Sequence, residues 1–248
     1  MSDKKLFAVT GNPILHSKSP SIYNRLFSKH QINAAYTRIA ADNADEAIFI
    51  FNKIGFSGMN ITSPFKTTII KYLNQVEESV KITRAVNTIV KDSNKLKGYN
   101  TDIYGVTESF RKRKIIISGR KIVILGAGGA SRAAAYGLLQ NGADVTIVNR
   151  TIEKAQKIAE KLECNYACFD KLKDLVKSAD ILVSTLPAGV SVVKDNWLKN
   201  NHIIFDANYK SSQLTEKASH KGCIVTVSYT HLRAHETSLH LVCRLLLE

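Results

Sequence analysis

Cysteine is scarce in this chain and unpaired. Four occur in 248 residues, at Cys164, Cys168, Cys223 and Cys243, with no metal-ligand spacing among them. That excludes a disulfide-stapled fold and a zinc module, and leaves small buried thiols in a reducing compartment. Long apolar runs are missing too: no stretch reaches the roughly 18 residues that suggest a transmembrane helix. The opening MSDKKLFAVTG has an apolar run too short for a signal peptide and passes straight into a strand. No membrane association is expected, and a cytoplasmic location is. Acidic residues are the third shortage. Asp and Glu number 21 against 35 Lys and Arg, a formal net charge of +14. The lysines are scattered through helical patterns and aromatics are not interleaved with them, so no nucleic-acid partner is expected. The excess charge reads as solvated helix surface, with a share able to attract anionic small molecules. Hydrophobic residues at 44% and charged residues at 23% are ordinary for a globular protein, here long enough for two compact domains or one large one.

The most informative stretch is Lys121–Arg132, KIVILGAGGASR. An apolar strand, Ile122–Leu125, breaks into Gly126-Ala127-Gly128-Gly129, and helix formers follow from Ala130. A glycine turn between strand and helix lets the backbone approach an anion, which the helix N-terminus then binds through its free N–H groups and dipole. The spacing matches a dinucleotide fingerprint imperfectly: Ser131 stands where a third glycine or alanine would fall. The next strand, Asp144–Val148, ends in Asn149-Arg150-Thr151, with Lys154 one turn later. An acid about 20 positions on would hold the ribose hydroxyl of NAD, whereas an arginine accommodates a 2′-phosphate. The strand end carries Arg150 and no acid, which reads as an NADP site.

The rest of the chain alternates strands and helices. Lys4–Val9 is a strand with a turn at Gly11. The loop GNPILHSKSP leads to a helix over Ser21–Lys29, with Ser17 and Ser19 flanking Lys18 just before it. One serine reads as a helix cap; alternatively both face a polyol or a carboxylate. Strand Ala35–Ile39 and helix Asp45–Ile54 follow, the helix ending at Gly55. A strand then reaches Thr62, and Pro64 precedes a helix starting near Phe65, which puts Lys66 in a first helical turn. A cation is disfavoured there by the helix dipole, so Lys66 reads either as an acid/base group or as a lysine pointing to water. Asn87 lies in a stretch entering a strand through Val90, paired with Lys95–Tyr99 across a Ser93-Asn94 turn. Asp102 fits the N-cap of helix Ile103–Lys112, and the basic run Arg111–Lys114 resembles a domain boundary. From Thr146 on, strands and helices alternate to Val227, which implies a doubly wound parallel sheet.

Taken together, these stretches resemble the shikimate dehydrogenase family from about Leu6 to Val227. The motifs are GNPILHSKSPSIYN, GMNITSPFK, AVNT, GYNTD, GAGGASRA, VNRT and FDANY, in the family's order and near its spacing. The resemblance implies an α/β protein with an N-terminal α/β substrate domain (residues 1–102) and a Rossmann-like doubly wound NADP-binding domain (residues 103–227), the active site lying in the cleft between them. It implies a small-molecule substrate, 3-dehydroshikimate or shikimate, and a monomer or homodimer. Ser17 and Ser19 fall where the family binds the substrate carboxylate, and Tyr209 assists at that end. Thr62, Asn87 and Asp102 match positions that hydrogen-bond the ring hydroxyls, and Lys66 matches the catalytic lysine. Gly126, Ala127, Gly128, Gly129 and Ala130, with Asn149, Arg150, Thr151 and Lys154, match the NADP loops; Thr185 and Ala207 touch the cofactor less specifically. The chemistry agrees. Reducing a ring ketone builds negative charge on oxygen, which a lysine ammonium neutralises and protonates, and Asp102 can hold that lysine by a charge-assisted bond. No metal is implied.

Two stretches depart from the family. From about Ser228 the text lacks the family's glycine-containing loop and its glutamine, as though a foreign reading frame had begun; residues 228–248 form an atypical tail. Its leucines have a helix-like apolar face, and His231, His235 and His240 read as a fortuitous cluster. The stretch Tyr209–Leu214 lacks the proline that many members carry. The alternatives are a quinate/shikimate dehydrogenase relative and a tail-altered, inactive NADP-binding protein. Arg150 predicts that turnover with NADP exceeds turnover with NAD by about tenfold or more. Steady-state rates with the two nucleotides check this, and equal rates would contradict it.

Overall fold

The structure, a computed structural model, describes residues 4–187, 189–208 and 212–227. The chain divides into two units between Thr101 and Asp102. The first is built on a six-stranded sheet of β1 (Lys5–Gly11), β2 (Ala34–Ala40), β3 (Gly58–Ile61), β4 (Gln75–Val76), β5 (Thr88–Asp92) and β6 (Lys95–Tyr99), in the order β2-β1-β3-β5-β6-β4. Strands β2, β1 and β3 run parallel, and β5 is antiparallel to both β3 and β6. The carboxyl ends of β1 and β3 therefore share one end of the sheet with the start of β5 and the end of β6.

Helix α1 (Ser19–Lys29) packs against the sheet through Tyr23 and Phe27, which join Phe7, Val9, Ile14 and Tyr36 in one apolar cluster. Helix α2 (Ala44–Ile54) buries Ala47, Ile48 and Phe51 in a second cluster with Ala8, Met59, Ile61 and Ile89. Helix α2 starts where the Asn43 side chain accepts the Glu46 N–H and stops at Gly55, φ +80°, a left-handed cap that glycine adopts at little cost. Helix α3 (Glu78–Thr83) is short and ends at Arg84, which takes φ +50°.

Strand β2 is an edge, and α1 covers it. The Asn24 amide donates to the Tyr36 carbonyl at 2.8 Å and its Oδ1 accepts the Tyr36 N–H at 2.9 Å. A side chain thus supplies both bonds that a further strand would have made, which satisfies an exposed edge without inviting another chain.

The second unit begins with α4 (Asp102–Lys112). Its sheet is wholly parallel: β7 (Lys121–Leu125), β8 (Asp144–Val148), β9 (Asn165–Ala167), β10 (Ile181–Ser184), β11 (Ile203–Asp206) and β12 (Ile224–Val227), in the order β12-β11-β10-β7-β8-β9. Helices α5 (Gly129–Leu139), α6 (Ile152–Leu162), α7 (Leu172–Ser178) and α8 (Gln213–His220) connect the strands. Both faces are covered: Phe110, Leu138, Ile158 and Phe205 lie in one cluster, and Leu172, Val176, Leu214 and Ala218 in another. That is why the strands read as continuous apolar runs.

Three expectations need correction. Residues Ser63–Thr67 form turns, and the following element, Thr68–Tyr72, is a 3-10 helix. Lys66 is therefore not in the first turn of an α-helix, and the dipole argument does not apply to it. Asp102 is the first residue of α4, not its cap. Lys18 holds the cap position of α1 and no side chain caps that helix; the Ser17 hydroxyl instead accepts the Ser19 N–H at 3.3 Å. Cys164, Cys168 and Cys223 are free thiols and half-buried, and burial pushes Cys164 up to about 11. Tyr209, Cys243 and the tail from Ser228 lie outside the described residues. Replacing Asn24 by alanine removes both edge bonds, so Asn24→Ala is expected to cost about 1–2 kcal/mol in urea denaturation; an unchanged midpoint would show the edge needs no cover.

Candidate active site

Four segments meet at the shared end of the first sheet. The loop after β1 closes against the loop after β3. Asn12 N–H donates to the Ser63 carbonyl at 3.1 Å, and Thr62 N–H to the Thr10 carbonyl at 2.9 Å. Gly11 makes this possible: a Cβ built there would lie 2.4 Å from Thr62 Cγ2 and 2.8 Å from the Ser63 carbonyl oxygen. No other residue fits between these loops without displacing backbone. The first loop then carries Ser17, half-buried, and Ser19, buried, with the Ser17 hydroxyl donating to Ser19 Oγ at 3.0 Å. The Arg38 guanidinium on β2 grips that loop, Nε donating to the Ser17 carbonyl at 3.1 Å.

The second loop carries Thr62 and Lys66, both half-buried. Its position is set by the stretch leading into β5, because Val86 N–H donates to the Lys66 carbonyl at 2.8 Å. Asn87, the next residue, is buried and bonded in several directions. Its N–H donates to the Tyr99 carbonyl at 3.0 Å and its carbonyl accepts the Ile61 N–H at 2.8 Å. Its Oδ1 accepts the Thr101 N–H at 2.9 Å and the Thr88 hydroxyl at 3.1 Å, while Nδ2 donates to Thr101 Oγ1 at 2.9 Å. Asp102 follows Thr101 directly, as the half-buried first residue of α4.

Sequence reading missed the polar side chains beneath this end. Asn60 lies inside the quoted GMNITSPFK motif, between buried Met59 and Ile61. A polar residue in the middle of a buried strand was the available signal. Tyr36, Asn24 and Arg38 carried none, because their roles depend on which strand lies at the edge.

The second unit has its own crevice. Counted from β7, its strands run 3-2-1-4-5-6 across the sheet, and ligands of such sheets bind at the carboxyl ends where the order reverses. The reversal lies between β7 and β10. Gly126 follows β7 with φ +111°, and a Cβ there would stand 2.5 Å from Thr185 Oγ1, just after β10. The Thr185 hydroxyl donates to the Leu125 carbonyl at 2.8 Å. Thr185 therefore closes the glycine turn. Gly128 and Gly129 are exposed with nothing within 4 Å of an added Cβ, and Gly129 opens α5. Ala127 is half-buried and Ala130 exposed. This is an open cradle at a helix N-terminus, the form a phosphate group fits.

Asn149 sits at the end of β8, half-buried, its amide donating to the Thr151 carbonyl at 2.9 Å. Arg150, Thr151 and Lys154 are exposed at the start of α6, and no acidic side chain precedes them at the strand end. Ala207 follows β11, its N–H on the Ser184 carbonyl at 2.8 Å. Beside it Asp206, buried, accepts the Asn208 N–H at 2.9 Å, its amide at 2.8 Å, and the Ser212 hydroxyl. Ser131 packs fully buried, and its hydroxyl has no partner among the described residues. It stands where helix and sheet approach closely and a smaller residue is usual. Among the described residues no His, Cys, Asp or Glu group could hold a metal ion, and no helix is long and apolar enough to cross a membrane.

These features define a two-unit α/β protein with a dinucleotide-binding sheet. Comparison with known proteins narrows the class. The substrate-binding domain family of shikimate dehydrogenases matches residues 9–89, and the shikimate/quinate 5-dehydrogenase family matches residues 109–219. A shikimate dehydrogenase (NADP(+)) of Nitrosopumilus maritimus is 35% identical, covering 92% of this chain and 89% of its own length. The crystal structure of shikimate dehydrogenase from Aquifex aeolicus is 32% identical over 94% of this chain and 89% of that one, with a TM-score of 0.86. A Thermus thermophilus structure in complex with NADP(H) and shikimate is 26% identical over 96% and 92%, TM-score 0.85. The chain belongs to the shikimate dehydrogenase family.

The turn at Gly126 yields a direct test. Gly126→Ala places a methyl on the Thr185 hydroxyl at a positive φ, a conformation that costs about 1–3 kcal/mol. The dissociation constant for NADP, measured by fluorescence titration, is expected to rise about tenfold or more. An unchanged constant would show that the turn does not shape the cradle.

Proposed function

We propose that this chain catalyses the reversible NADP-dependent reduction of 3-dehydroshikimate to shikimate, in the shikimate pathway of aromatic amino-acid biosynthesis. Family membership supports the reaction. The observation that carries the residue assignment is the bond from Val86 N–H to the Lys66 carbonyl, 2.8 Å, which seats the lysine-bearing turn beside Asn87 at the carboxyl end of β3.

In this reading the substrate domain, residues 1–102, binds the substrate. Ser17 and Ser19 take the carboxylate, with Tyr209 at the same end. Thr62, Asn87 and Asp102 take the ring hydroxyls. The second unit, to residue 227, holds NADP: Gly126–Ala130 at the pyrophosphate, Asn149, Arg150, Thr151 and Lys154 at the adenosine 2′-phosphate, with Thr185 and Ala207 as lesser contacts. The open glycine cradle and the exposed arginine at an acid-free strand end fit that group. When bound, NADPH supplies the hydride.

The protein's own part is the proton. As the ketone carbon is reduced, its oxygen gains negative charge. The Lys66 ammonium sits against that oxygen, offsets the charge and donates its proton, giving the alcohol; in reverse the neutral amine removes it. Asp102 holds the ammonium and a ring hydroxyl together by charge-assisted bonds. The enzyme acts on a small molecule in the cytoplasm, as a monomer or homodimer, without nucleic-acid or membrane partners.

Lys66→Ala is the test. Its kcat for shikimate oxidation, followed by NADPH absorbance, is expected to fall about a hundredfold or more, with KM for NADP little changed. A near-normal kcat would remove the proton-transfer role. Quinate in place of shikimate, in the same assay with the unaltered protein, is expected to give the lower kcat/KM.

A further inference from the structure

Beneath the first sheet's functional end runs a continuous chain of hydrogen bonds that begins near the start of β2. The Tyr36 hydroxyl donates to Asn60 Oδ1 at 2.6 Å. With its oxygen so engaged, the Asn60 amide nitrogen donates to Thr88 Oγ1 at 3.1 Å and to the Asn87 carbonyl at 3.3 Å. The Thr88 hydroxyl in turn donates to Asn87 Oδ1 at 3.1 Å. Each donor meets the next acceptor, so the chain runs unbroken from Tyr36 to Asn87 Oδ1, whose sense is set by the Thr101 backbone N–H and reinforced by the Thr88 hydroxyl.

Tyr36 is also where the serine loop is registered. Its ring stacks on Tyr23 of α1, centroids 4.3 Å apart and planes 2° from parallel. Tyr23 stands one helical turn after Ser19, on the same face. Asn24 binds the Tyr36 backbone on the edge, and Arg38, two residues further along β2, grips the Ser17 carbonyl. Burial raises the Tyr36 phenol well above its ordinary range, with Tyr23 adding to the effect, so the hydroxyl remains a donor at any working pH.

We propose that Tyr36 is a positioning residue for catalysis: through Asn60 and Thr88 it holds the Asn87 side chain rigid in the sense that the Thr101 N–H imposes, and keeps it in register with the serine-bearing start of α1. A phenylalanine would fill the same space and keep the stack, so packing alone does not call for the hydroxyl. The proposal rests on the reading that Asn87 binds the substrate.

The test compares Tyr36→Phe, Asn87→Ala and the double variant in the full chain. Tyr36→Phe is expected to lower kcat/KM for shikimate about fivefold to tenfold, the span of one lost hydrogen bond, with KM for NADP unchanged. In the Asn87→Ala background the same change is expected to cost less than about twofold. A purely structural role would move thermal stability alike in both backgrounds and leave this non-additivity absent. Equal effects in both backgrounds, or no effect of Tyr36→Phe alone, would overturn the proposal. Full activity of Asn87→Ala would instead overturn the reading beneath it. Should Tyr36→Phe not fold, the isosteric Thr88→Val breaks the same chain one link later and must show the same non-additivity; additivity there also overturns it.

Discussion

The first unit depends on the bonds that converge on Asn87. Its N–H reaches β6 through Tyr99, its carbonyl takes the Ile61 N–H from the end of β3, and its side chain fixes Thr101. These groups are buried, and an unmade bond at a buried polar group costs about 1–3 kcal/mol. One residue thus ties three chain segments at the point where a parallel sheet turns antiparallel. Val86, its neighbour, ties in the Lys66 turn. The candidate side chains Thr62 and Lys66 occupy a loop, but that loop is fixed to a hydrogen-bonded node in the sheet.

The second unit solves the same problem with sterics. Only a residue without a Cβ can follow β7 at φ +111° and lie against Thr185, and Thr185 in turn bonds back to Leu125. The glycine turn is therefore held shut from β10, leaving its outer side, at Gly128 and Gly129, open. Anion binding there needs no side-chain charge, because the helix N-terminus provides the donors. In the function proposed above, Arg150 then has a narrower task, selecting one nucleotide from another at the end of β8.

The second unit was the more legible in sequence. Its strands are buried on both faces and read as apolar runs, so β7 and β8 could be placed from sequence to within a residue, and the all-parallel sheet followed from the alternation of strands with helices. The first unit hid more. Strand β4 is two residues long and α3 only six; neither has length for a period, and their form is set by contacts such as Asn74 N–H on Leu96 and Glu77 N–H on Gly98. The turn at Lys66 looked helical because a proline precedes it. The bond from Val86 to the Lys66 carbonyl, with its partner distant in sequence, is a contact that local pattern cannot show. The motif residues of the site were legible as resemblance and as chemistry. Tyr36, Asn60 and Arg38 were not, since their partners are set by strand order.

In the function proposed above, the Asn87 node presents its amide to a ring hydroxyl of the substrate. A crystal structure of the protein with shikimate bound measures this directly. The account predicts a ring oxygen at about 3 Å from the Asn87 side-chain amide, with the Thr88 and Thr101 bonds retained. Shikimate ordered at the protein but seated away from Asn87, or an Asn87 side chain turned from it, would contradict the account.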